Sequence, residues 1–159
     1  MLNILLSYYL FRPQIFNQHE LEQAGLINAT LYCATRAFGV EDYNDEGPHY
    51  FIELKNGAVM YLVGQYLYDY EPIDADPKIS QPRKFPCTEF TIIRHKERGD
   101  NLDLKCGGRA LEPEHIFRIQ EPFYTLRRLL GFVPKDGDII IGQSYDTLKD
   151  LVMQVSRCN

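Results

Sequence analysis

The chain of 159 residues has no tryptophan, no C-x-x-C pair, no glycine-rich phosphate loop and no block of like charge. Each absence closes a class of function. Neither G-x-x-x-x-G-K nor G-x-G-x-x-G occurs, so nucleotide binding through a standard loop is not expected. The net charge is −5 and the pI about 5.3, which argues against the basic face of a nucleic-acid-binding protein. Arg94, His95, Lys96 and Arg98 do cluster, but Glu89, Glu97 and Asp100 lie among them, as at a solvated hairpin tip.

Cysteine is sparse and irregularly spaced. Cys33, Cys87, Cys106 and Cys158 match no disulfide scaffold. A chain of this length buries roughly 70% of its unfolded surface, so it needs neither staple nor metal to hold a core. The four read as reduced thiols in a reducing compartment, the cytoplasm. Cys106 follows Leu102 and Leu104 at period two and should face the core.

No apolar run approaches the roughly 20 residues that cross a bilayer. Met1 to Phe11 is strongly apolar but short, with no leading Lys or Arg and no small-residue cleavage site after it. No membrane insertion by this chain itself is expected. The N-terminal segment, residues 1–12, reads either as an element packed on the core or as the two-fold interface of a homo-oligomer. The chain could equally be a piece of a larger, membrane-anchored protein.

What is present is an ordinary apolar fraction, 45%, with 11 Tyr and 9 Phe, many of them in segments with strand character. Asn17 and Glu20 have capping-box spacing, Phe16 and Leu21 staple spacing, and Gly25 a stop, predicting a helix near 18–24. Residues 29–41 predict a strand, with Gly39 as a bulge. Asn56-Gly57 predicts a two-residue type I′ hairpin that places Leu54 opposite Val59, Ile52 opposite Tyr61 and Tyr50 opposite Val63. The second strand would run over 58–70. Residues 71–86, with Pro72, Pro77, Pro82 and Pro86, form a long acidic loop. A second hairpin joins 88–95 to 102–106 across Arg98-Gly99-Asp100-Asn101. Pro113 begins a helical turn, 123–130 a helix, and 139–141 a short buried strand. Ser144 or Asp146 caps a last helix whose apolar stripe is Leu148, Leu151, Val152 and Val155. The sum is an α+β fold: a mainly antiparallel sheet, or a partly open barrel of hairpins, flanked by a short N-terminal and an amphipathic C-terminal helix. No internal repeat or linker divides residues 1–159, which read as one domain.

Chemistry is thinly signalled. Cys87, His95, Cys106 and His115 are the only Cys/His set in one region, but no two are paired closely enough for a zinc site. Asp69, Glu71, Asp74 and Asp76 lack the register of a calcium loop. No metal or other cofactor is expected. A nucleophile would be Cys87, with Glu89 and His95 near it in sequence and His49, at the mouth of the first hairpin, as another candidate base. Tyr66, Tyr68 and Tyr70 form the candidate binding face, an alternating aromatic run able to meet a protein partner. The residues favour a non-catalytic binding or protein-interaction domain. A small enzyme with a Cys/His-containing site is the alternative, and a homo-oligomeric assembly protein the third reading.

Overall fold

The computed structural model describes residues 18–42, 47–74 and 76–157, with the Asp42 side chain left out. The expected N-terminal segment and the Asn17 cap lie outside the described residues. The helix they were to introduce is present as α1, Gln18–Gln23, and the chain leaves it through Gly25 at φ 67°.

The fold is α+β, and among the described residues seven strands form one open sheet. The strands are β1 (Ile27–Asp42), β2 (His49–Leu54), β3 (Val59–Val63), β4 (Glu89–His95), β5 (Asn101–Cys106), β6 (Ile116–Ile119) and β7 (Ile139–Ile140). The sheet order is β5-β4-β1-β2-β3-β7, and β6 adds to β1 off this path. All ladders are antiparallel except β1–β6. β1 is the spine. Its first half, Ile27 to Cys33, pairs with β4; its second half, Ala34 to Val40, pairs with β2. The register slips between Ala34 and Arg36, and this bulge lets one long strand serve both hairpins. Gly39 is therefore not the bulge. A Cβ there would lie 3.3 Å from the Tyr50 ring, so glycine admits a close cross-strand approach.

The β2–β3 turn differs from the type I′ expectation. The Gly57 N–H donates to Leu54 O at 2.8 Å, and Gly57 alone takes a positive φ, 84°. This is a type I turn closed by a left-handed glycine, giving a three-residue loop that Asn56 supports by accepting from Ala58 N at 3.0 Å. The extra loop residue moves the register by one, so Tyr50 pairs with Leu62 and Ile52 with Met60. A one-residue slip turns the facing strand over. Tyr50, Ile52, Leu54, Met60 and Leu62 thus share the face toward the β4–β5 hairpin, with Phe85, Phe90, Ile92 and Leu104. Phe51, Val59 and Tyr61 share the other face, toward the helices.

The helical layer consists of α2 (Pro122–Leu130) and α3 (Tyr145–Ser156). Ser144 caps α3, its hydroxyl accepting from Thr147 N. Leu148 and Val152 are fully buried from the predicted stripe, while Leu151 and Val155 are half-buried. Burying such side chains stabilises by about 1.5–3 kcal/mol each. Two further expectations are corrected. Residues after Pro113 form strand β6, not a helical turn, because Ile116 to Ile119 find the free edge of β1. β7 is a two-residue edge in which only Ile140 is buried; Ile141 is 87% exposed. Among the described residues, no helix is long and apolar enough to cross a membrane.

Candidate functional site

The strand expected over 58–70 stops at Val63. Gly64, at φ 149°, turns the chain into a 3-10 helix, Gln65–Tyr70. This change of period separates the three tyrosines. Tyr66 and Tyr70 line one groove, while Tyr68 lines a second cavity on the other side of the helix. None of the three is fully buried, and Tyr68 is 43% exposed.

The first groove, about 290 Å3, lies between the 3-10 helix and the β4–β5 hairpin. Ile92, Leu102 and Leu104 supply apolar surface, and Asp69, Asn101 and Asp103 supply polar groups. The ring of Tyr66 is held by a hydrogen-bonded centre. Asp136 accepts from the Tyr66 hydroxyl at 2.9 Å, from Val63 N at 2.9 Å and from Asn101 Nδ2 at 2.8 Å. The Tyr70 hydroxyl donates to Leu104 O at 2.5 Å. Burial, reinforced by the Asp136 charge, pushes the Tyr66 phenol up. Burial, with the nearby charges of Cys106, Asp103 and Asp69 behind it, pushes Tyr70 up to about 12. Both rings are therefore neutral at physiological pH.

Charge distinguishes the two cavities. The second, about 320 Å3, has Glu41 and Glu71 in its wall, and each already has a cation. Arg118 reaches Glu41 at 3.2 Å and Arg83 reaches Glu71 at 2.9 Å, with the Tyr50 hydroxyl also on Glu71. In the first groove, Asp69 and Asp103 have no ion-pair partner among the described residues.

The sequence candidates for catalysis occupy separate environments. Cys87 is fully buried and donates to Glu89 O at 3.1 Å, while the Glu89 side chain is exposed. His95 is at the far end of β4, where its Nδ1 accepts from Glu97 N and Arg98 N, both at 3.3 Å, and so holds the hairpin turn. His49 is buried on β2, its Nδ1 2.6 Å from the Tyr61 hydroxyl and its ring 5.1 Å from that of Phe123. Cys106, half-buried, packs against the core cluster that contains Cys87. Among the described residues, no three Asp, Glu, His or Cys side chains converge as metal ligands.

Sequence reasoning singled out Tyr66 and Tyr70 but missed Asn101, Leu102 and Asp103 as their neighbours. The β4–β5 pairing was visible, but nothing in the pattern said that the 3-10 helix would cover it. Comparisons with protein-family models, curated proteins and solved structures each return no match for this chain.

Proposed function

We propose that the protein is a non-catalytic binding module that takes a lysine or arginine side chain of a protein partner in the Tyr66–Tyr70 groove. The observation that carries this reading is a pair of carboxylates without cations, Asp69 and Asp103, beside two neutral tyrosine rings. A cation over an aromatic face gains about 0.5–2 kcal/mol, more as water is excluded. Ile92, Leu102 and Leu104 suit the methylene stem of such a side chain, which prefers apolar surface while its head stays polar. The volume, about 290 Å3, falls at the small end of ligand pockets and fits one side chain better than a drug-sized molecule. The free thiols of Cys33, Cys87 and Cys106 support placement in a reducing compartment.

Calorimetric titration of the full chain with short arginine and lysine peptides tests the reading. Binding is expected to weaken with salt and to fall about tenfold, or about 1.4 kcal/mol, in a D69N/D103N chain. Peptides carrying neutral citrulline or norleucine should bind no better than that variant. Equal binding of charged and neutral peptides would overturn the proposal.

A further inference from the structure

We propose that the Tyr66–Tyr70 groove selects arginine over lysine by the N–H edges of its guanidinium, so that dimethylation of that arginine, which keeps the charge, weakens binding. The inference rests on the cation reading above and deepens it from a charge to a hydrogen-bond pattern.

The side-chain donors in the wall of the groove are already committed. Tyr66, Tyr70 and Asn101 carry them. The Tyr66 hydroxyl donates to Asp136 at 2.9 Å, the Tyr70 hydroxyl to Leu104 O at 2.5 Å, and Asn101 Nδ2 to Asp136 at 2.8 Å. The Leu104 N–H is taken as well, by Asp103 Oδ1 at 2.8 Å. What remains is acceptors. Asp103 keeps its second carboxylate oxygen. Asp69 keeps both of its own, since Gln81 Nε2 reaches only the Asp69 backbone oxygen, at 2.7 Å. With their protons directed into the protein, the two tyrosine hydroxyls can only accept from a ligand.

These acceptors come from two elements. Asp69 belongs to the 3-10 helix and Asp103 to β5. The Tyr70–Leu104 hydrogen bond ties one element to the other, so the two carboxylates border one space. Leu104 also directs how a partner arrives. Its N–H and its carbonyl are both engaged by side chains, so a partner reaches this wall with a side chain and not by adding a strand to β5.

A guanidinium and an ammonium differ in such a place. The first is planar and carries five donors along its edges; the second is a compact charge with three. A flat group between the walls can donate to Asp69 along one edge and to Asp103 along another, and its face is left for a tyrosine ring. Lysine brings the same charge but fills fewer acceptors, and an acceptor that loses water without gaining a donor weakens binding. Dimethylarginine keeps charge and planarity, but its methyl groups block bidentate donation. A plain aromatic cage would behave in the opposite way and favour the methylated cation.

The test is calorimetry on the full chain with one peptide in four forms, carrying arginine, asymmetric dimethylarginine, lysine or citrulline at the same position. Arginine is expected to bind tightest. Dimethylarginine and lysine should each bind about tenfold more weakly, the effect of about one charged hydrogen bond, and citrulline weakest of all. Dimethylarginine or lysine binding as tightly as arginine, with citrulline still weakest, would overturn the hydrogen-bond selection and leave the cation reading standing. Four equal affinities, or no binding at millimolar peptide, would overturn the cation reading and this inference with it. Asp103→Asn gives a second readout. Its Oδ1 can still accept from Leu104 N, but an amide donor replaces the second carboxylate oxygen, so arginine should lose its lead over dimethylarginine. An undiminished lead in that variant would overturn the proposal. If the variant fails to fold, the four peptides on the wild type decide the question.

Discussion

The two faces of the β2–β3 hairpin are both buried, but they bury different chemistry. The helix side is an aromatic core. Phe38 stacks on Phe51 at 4.8 Å and meets Phe117 and Tyr145 edge-on at 5.8 and 5.3 Å. Its charged groups are at the rim, where Arg36 joins Glu53 and Asp146, each through a charged hydrogen bond, and lies over the Tyr145 ring. The hairpin side mixes apolar packing with tyrosine hydroxyls, two thiols and the Asp136 centre, and it opens into the groove. The lesson is one of division. The face that fastens the helices keeps its ion pairs at the rim and seals its His49–Tyr61 polar pair inside, whereas the other face opens its polar groups to the groove.

This contrast predicts an order of mutational effects. Phe38→Ala should be the most damaging, costing about 3–5 kcal/mol, because a fully buried ring with three aromatic neighbours leaves a cavity that a sheet cannot close. Chemical denaturation measures it. A cost under about 1 kcal/mol would mean that the helix side is not the stabilising layer.

Asp136→Ala should come next on the hairpin side. It leaves Val63 N, Tyr66 Oη and Asn101 Nδ2 without their common acceptor, at about 2–3 kcal/mol. Because Tyr66 lines the groove, the same change should weaken arginine-peptide binding in calorimetry. A loss of stability with unchanged binding would separate the Asp136 centre from the site.

Sequence had pointed to the helix side more fully than to the groove. The Ser144 cap and the Leu148–Val152 spacing are local signals, and a local signal survives folding. Asn56-Gly57 was ambiguous because glycine at a left-handed position serves both the two-residue turn and the three-residue loop; the choice between them sets the register of β2–β3. The alternation of Tyr66, Tyr68 and Tyr70 resembles a strand, and only the backbone turn at Gly64 breaks it. The groove was the least legible. Asp69 and Asp103 belong to elements that do not pair, and only tertiary packing brings them together.

A smaller effect is expected at the rim. Arg36, chiefly by hydrogen bonding, holds the carboxyls of Glu53 and Asp146 below their ordinary values. Groups lowered in this way stabilise the fold fully above the unfolded-state pKa, and the contribution is lost as pH falls through the lower folded-state values. Acid unfolding followed by circular dichroism below about pH 5 should therefore show a shallower loss of stability in Arg36→Gln than in the wild type. At neutral pH the variant should lose little stability, since solvent screens this exposed network. Parallel acid profiles for the two proteins would remove this network as the link between α3 and the sheet.

The most direct test of the groove is the map of backbone amide shifts in the full chain during titration with an arginine peptide. The account predicts saturable shifts at residues 66–70 and 101–104, absent with citrulline and absent in D69N/D103N. Shifts centred on the second cavity, shifts shared by the neutral peptide, or none at millimolar peptide would contradict it.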